Sequence, residues 1–134
     1  MTQRPDVILY DGDSYPTALH LFEALKYLPH RPDVARMIRE APLQDMSAIS
    51  ERHAAAMRPD WDNVALQMMD DVLYHKFRQH ARARDILLAT GNAPLLHQDA
   101  GDAFWGGGPD DLGENHMGRA LERVRQRLID ERAR

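Results

Sequence analysis

The chain has 134 residues, a formal net charge of −4 from 17 Lys and Arg against 21 Asp and Glu, 43 % hydrophobic residues and no cysteine. This is the size and composition of one folded domain with its own core, and a cytoplasmic address is expected because no apolar run approaches a signal peptide or the roughly 20 residues of a membrane span. Disulfides, thiolate nucleophiles and cysteine-held metals are excluded, and the acidic balance argues against a grip on long nucleic acid through bulk charge.

Residues 1–14 are expected to form a short N-terminal arm or strand, with the apolar run at 7–10 followed by "DGDSYP", which is turn chemistry. Helical signals then dominate. Thr17 can cap a helix to about Leu28, in which Ala18, Phe22 and Leu25 recur at helical spacing and which Pro29 helps to close. Pro32 suits the first turn of a second helix to about Glu40, and Pro42 precedes a third reaching about Met57. A long helix opens at Asp60 or Trp61, with Trp61, Val64, Met68 and Val72 on one stripe and Met69, Leu73 and Phe77 beside it, an arc wide enough for a central buried helix. A shorter helix from about Arg82 to Ala89 stops at Gly91, and a last one from about Asn115 to Glu131 turns Met117, Leu121, Val124 and Leu128 inward. Its Arg119, Arg123, Arg125 and Arg127 read as a solvated face, and the closing "DERAR" as the place to fray. The fold class is therefore mainly α, a single helical domain with a long Gly-rich loop before the C-terminal helix.

That loop, "GDAFWGGGPDDLGEN", is more irregular chain than a compact domain usually carries unless the loop is used. Gly106, Gly107 and Gly108 can turn bare backbone N–H groups toward anionic oxygens. Asn115 stands at a helix start, where free amides and the dipole favour a phosphate or carboxylate. Trp105 offers a flat face for a base or ribose, and Asp102 brings a carboxylate to the same place. Each feature also has a plain alternative: a cap, a turn, a core indole. Their conjunction points to an anionic, nucleotide-like ligand. Metal use is not expected, since His75 and His80 are five apart and no His-Glu-x-x-His pattern occurs. Neither a Gly-x-x-x-x-Gly-Lys nor a Gly-x-Gly-x-x-Gly motif is present, so kinase and dehydrogenase readings fall away.

The ordered blocks "YPTALHLFEALKYL", "RPDW", "MMDDVLYHKFRQH", "LLATG", "DAFWGGG" and "GENHMGRALERVRQRL" resemble the NADAR family, also called YbiA-like proteins, from Tyr15 to about Leu128. The resemblance implies a NADAR-like helical domain over residues 15–131 and N-glycosidase chemistry without a cofactor. Relatives hydrolyse the N-glycosidic bond of early riboflavin-pathway intermediates, and others remove ADP-ribose from modified guanine. The implied partner is thus a small nucleotide-like substrate with ribose and phosphate, or an ADP-ribosylated nucleic acid base, with no membrane and an open oligomeric state.

Matched position by position, Pro16, His20, Phe22 and Lys26 fall on the family's first helix motif, Trp61 on its tryptophan, and Lys76 with Phe77 on its lysine-phenylalanine pair. Asp102, Trp105, Gly106, Asn115 and Gly118 complete the set. Three departures stand out. Leu19 replaces a glutamate thought to be catalytic, His97 replaces another, and only fourteen residues precede Tyr15 where the family carries a longer segment with a serine-asparagine-phenylalanine motif.

Breaking an N-glycosidic bond builds positive charge on the ribose, which a nearby carboxylate stabilises while a water is oriented. Glu23 lies one helical turn from Leu19 and three residues from Lys26, on one stripe. Glu23, Asp102 and Lys26 are accordingly the candidate catalytic residues, and His20, Trp61, Trp105, Gly106 and Asn115 the candidate substrate-binding ones. Two other classes remain: a binding module for ADP-ribose or a related nucleotide that has lost turnover, and a helical interaction protein whose loop is scaffold.

Overall fold

Asp11 and Gly12 decide how the chain begins. Both have positive φ, 49° and 85°, the pair of left-handed residues that a two-residue turn needs if it is to match the twist of a hairpin. They join strands β1 (Ile8–Tyr10) and β2 (Asp13–Tyr15), which pair antiparallel with Ile8 opposite Tyr15. The structure, a computed structural model, describes residues 6–133. The first five residues of the expected N-terminal arm and the last of the "DERAR" tract lie outside that range. Two compact units make up the chain, Met1–Met68 and Met69–Arg134.

In the first unit the hairpin is followed by α1 (Ala18–Leu25), α2 (Pro32–Glu40) and α3 (Met46–Arg52), with single 3₁₀ turns at Leu43–Asp45 and Ala54–Ala56. Thr17 caps α1 as expected, its hydroxyl accepting from the His20 amide at 3.1 Å. The third helix is shorter than the expected span to Met57, and the cause is local. His53 Nδ1 takes the Ile49 carbonyl at 2.9 Å, and the His53 amide turns to Ser50 instead. A side chain that occupies the i−4 carbonyl ends the ladder there. Helix α1 packs against α2, α3 and the hairpin. The core of this unit holds Ile8, Tyr15, Leu21, Phe22, Leu25, Tyr27, Val34, Ile38, Met46 and Trp61, all buried.

Helix α4 (Trp61–Gln79) opens in the first unit and continues into the second. In the second unit its residues Met69, Val72, Leu73, Tyr74 and Phe77 are buried, as are Leu87 of α5 (Ala81–Ala89) and Ala120, Val124 and Leu128 of α6 (His116–Arg132). The two long helices are tied by Arg123, which forks onto both carboxylate oxygens of Asp70 at 2.8 and 2.9 Å. Helix α6 runs to Arg132, through most of the tract expected to fray. Among the described residues no helix is long and apolar enough to cross a membrane. The architecture is the mainly α fold that the sequence indicated, with one small hairpin added.

Candidate active site

In the first unit Glu23 and Lys26 sit three apart on the same face of α1 and its C-cap, and the lysine ammonium meets both carboxylate oxygens, at 3.1 Å and 2.9 Å. Each side chain keeps only 20 % of its surface exposed, so the pair is not the solvated helix pair that its spacing alone allows. The reason is a hollow of about 300 Å³, lined by Glu23, Lys26, Tyr27, Ser50, Glu51 and Met57 among others. That volume is at the lower end of small-molecule sites. Tyr27 fixes the wall by donating to the Ser50 carbonyl at 2.9 Å, with the Ser50 hydroxyl 3.0 Å away. The Lys26 ammonium also lies 5.8 Å from the Trp61 ring centroid, and that indole packs 5.0 Å from Phe22.

Trp61 and His20, both candidate substrate ligands, are built into the core. Trp61 is 7 % exposed, and its ring supports Phe22 and Lys26. His20 is 2 % exposed. Its Nε2 meets the Ala41 carbonyl at 2.8 Å and its Nδ1 the Thr17 hydroxyl at 2.7 Å. Since a carbonyl only accepts, Nε2 carries the proton and Nδ1 accepts from Thr17. Both ring nitrogens are used within the protein, which ties α1 to the end of α2. Leu19 is 46 % exposed.

In the second unit the Gly-rich loop answers to its own backbone. The three glycine amides expected to cradle an anion are donated internally: Gly106 to the Asp102 carbonyl, Gly107 to that of His97 and Gly108 to that of Asp99. All three glycines are buried. A Cβ on Gly106 would sit 2.7 Å from the His97 carbonyl oxygen, and one on Gly113 2.7 Å from that of Ala103. What approaches this backbone closely is more backbone. The aspartates serve the same end, each accepting from amides just ahead of it. Asp102 Oδ1 takes the Phe104 and Trp105 amides at 3.0 and 2.8 Å, Asp99 Oδ1 that of Gly101, and Asp110 Oδ1 that of Leu112.

The N-terminus of α6 is likewise filled. Its first amides, His116 and Met117, donate to the Phe104 and Trp105 carbonyls at 3.0 and 2.8 Å, so the loop occupies the place expected for an anion. Asn115 has φ 54° and makes no side-chain cap. Its amide instead brackets the preceding segment, Nδ2 donating to the Leu95 carbonyl at 2.8 Å and Oδ1 accepting from the His97 amide at 2.9 Å. Further along α6, Glu122 accepts from the Leu95 amide at 2.8 Å, and Arg125 donates to the Ala93 carbonyl and the Thr90 hydroxyl, both at 2.8 Å. Four steps of extended chain cover about 13 Å and ten steps of helix about 15 Å, so three polar side chains can hold residues 93–97 antiparallel along α6. Gly118 stands beneath Leu95, where a side chain would overlap the Leu95 carbonyl and the Asn115 amide. Arg125 is thus a buried clamp, 6 % exposed, and not part of a solvated face.

What the loop leaves on its outside is aromatic. Phe104 meets His116 at 4.4 Å between centroids and stands edge-on to Trp105 at 5.1 Å. Phe104 is 42 % exposed and Trp105 half-buried, so a flat apolar face remains beside the His116 imidazole. A larger hollow of about 440 Å³, lined by Arg78, Arg84, Asp85, Glu131 and Arg132 among others, lies elsewhere in this unit and contains none of the candidate residues. The sequence reading missed Glu51, Tyr27 and Ser50 in the first unit and Arg125 and Glu122 in the second. Only tertiary placement distinguishes them from ordinary surface or core positions.

The NADAR domain pattern matches residues 1–129. The N-glycosidase YbiA of Escherichia coli (strain K12) is 34 % identical over 127 residues, 93 % of this chain and 78 % of that protein. An N-glycosidase of Nostoc punctiforme is 32 % identical over 119 residues, 87 % of this chain and 76 % of its own. A riboflavin biosynthesis protein of Vibrio vulnificus is 31 % identical over 124 residues, 92 % of this chain but 34 % of that protein. The NMR structure of Escherichia coli YbiA superposes with a TM-score of 0.79 at 32 % identity, covering 95 % of this chain and 75 % of that one.

Proposed function

This chain belongs to the NADAR domain family, and from that premise we propose that it is an N-glycosidase, a hydrolase that breaks the bond between ribose and base in a nucleotide-like substrate. The observation that carries the reading is the Glu23–Lys26 pair in the wall of a hollow. As the base departs, positive charge grows on the ribose, and a fixed carboxylate favours that state over the ground state. Glu23 supplies the carboxylate. Lys26 holds it in place with an ammonium that contacts both oxygens, and the Trp61 ring fixes Lys26 in turn. Relatives named as an N-glycosidase and a riboflavin biosynthesis protein support a riboflavin-pathway intermediate as the substrate class, and an ADP-ribosylated base is the alternative substrate.

The test is release of free base from a riboflavin-pathway intermediate and from ADP-ribosylated guanosine, followed by chromatography. Glu23→Gln is expected to lower kcat by about 100-fold or more, the range of a positioned carboxylate. Unchanged turnover would remove Glu23 from the mechanism. Leu19, an exposed aliphatic at the family's glutamate position, favours a second reading in which the pocket binds but does not cut. Calorimetric binding of ADP-ribose with no base released from any of these substrates would establish that reading.

A further inference from the structure

Hydrolysis of a ribosyl bond asks two things of carboxylates: to face the developing charge and to take a proton from the attacking water. In this chain Glu23 is placed for the first and badly placed for the second, because the Lys26 ammonium occupies both of its oxygens at 3.1 and 2.9 Å. Asp102, the other acid that the sequence offers, has Oδ1 fixed by the Phe104 and Trp105 amides. We propose that Glu51 is the second carboxylate of the reaction, the general base that activates water in the hollow of Glu23 and Lys26. The proposal rests on the N-glycosidase reading and adds a residue to it.

Three observations carry it. Glu51 lines the same hollow as Glu23 and Lys26, from a different helix, α3. Among the described residues no ion pair or side-chain hydrogen bond engages its carboxylate, in contrast to Glu23. Its place is nonetheless defined, because Tyr27, directly after Lys26, holds the neighbouring Ser50 through its carbonyl and hydroxyl at 2.9 and 3.0 Å. One hydroxyl therefore registers the end of α3 against the end of α1. The hollow presents one carboxylate bound to an ammonium and one open to water.

Water donates a proton to the Glu51 carboxylate while its oxygen forms the bond to the anomeric carbon. The carbon–nitrogen bond breaks, and its electron pair leaves on the base. The departing nitrogen gains a proton, the one on Glu51 returns through solvent, and the products are a ribose with an anomeric hydroxyl and a free base.

The experiment uses the full chain and a substrate from which the wild type releases base. Glu51→Gln is expected to lower kcat by about 100-fold or more while KM moves by less than about threefold. Glu51 is exposed, so this variant has no buried contact to lose. Formate added to Glu51→Ala should restore several-fold turnover by supplying a free carboxylate, and should do nothing for Glu23→Gln. A Glu51→Gln enzyme within about twofold of wild-type kcat, or no formate effect on Glu51→Ala, overturns the role of Glu51 while leaving the N-glycosidase reading standing. A wild type that releases base from no substrate overturns both.

Discussion

At the residue scale the glycines and polar side chains of the second unit show how one residue type can carry opposite meanings. Glycine beside tryptophan and aspartate indicates a phosphate cradle when only the sequence is considered, because a bare amide is what such a cradle uses. The same lack of a side chain also lets two stretches of backbone touch, and that is what Gly106, Gly113 and Gly118 do. Asn115 was legible as a special position; its bracket on Leu95 and His97 was not, since the partners are twenty and eighteen residues away. Gly118→Ala tests the point. Alanine gains about 1 kcal/mol of helix propensity over glycine, but the new methyl overlaps a carbonyl that Asn115 holds in place. Overpacking against a neighbour that cannot yield costs about 1–3 kcal/mol, and here the upper end applies, so the variant should be less stable by denaturant titration. Gly101→Ala is the control, with 3.5 Å to its nearest neighbour, and should stay within about 0.5 kcal/mol of the parent.

At the element scale most helices were legible because their boundaries are set locally. Pro32 and Glu40 bound α2 as expected, Thr17 caps α1, and α4 starts at Trp61. The sequence reading missed the hairpin although "DG" is the strongest short signal for one, because β1 and β2 are only three residues each and too short to alternate. The break at His53 depends on a side chain taking a carbonyl, which no periodicity shows. In the second unit the α4 and α6 surfaces meet at Tyr74, whose hydroxyl donates to Glu131 and whose ring faces the Arg127 guanidinium at 3.5 Å. The hydrogen bond to Glu131, then burial, raises the Tyr74 phenol above 10.0, against a smaller lowering by Arg78. A group whose folded pKa is raised contributes stability that is whole below its unfolded value and is lost as pH rises through the folded one. Thermal stability should therefore decline above about pH 10. Tyr74→Phe should decline less steeply while being less stable at neutral pH by about 1 kcal/mol, the worth of one hydrogen bond. Some alkaline loss will persist in the variant, since burial raises the Tyr15 phenol in the same direction. Melting curves across that range check both slopes.

At the scale of the whole molecule, the boundary between the compact units falls inside α4, after Met68, where Leu66, Gln67, Met68 and Met69 continue one helix without a change of composition. No linker marks it, so pattern reading had nothing to register. Charge, by contrast, is legible from composition, and it bears on what the enzyme takes as substrate. A protein that holds nucleic acid through six to ten phosphates loses roughly 10³–10⁵ in affinity between about 50 and 200 mM salt. This chain carries −4 overall, two of its arginines, Arg123 and Arg125, are committed to Asp70 and to the Ala93 carbonyl and Thr90 hydroxyl, and a free nucleotide presents only one or two phosphates. Its kcat/KM for base release from a free nucleotide-like substrate should fall by no more than about tenfold over that salt range, as expected for one or two phosphate contacts. The same nucleotide placed within an oligonucleotide should gain nothing at low salt. A steep salt slope together with faster release from the oligonucleotide would identify a modified nucleic acid as the substrate and would require a basic surface outside the Glu23 hollow to hold it.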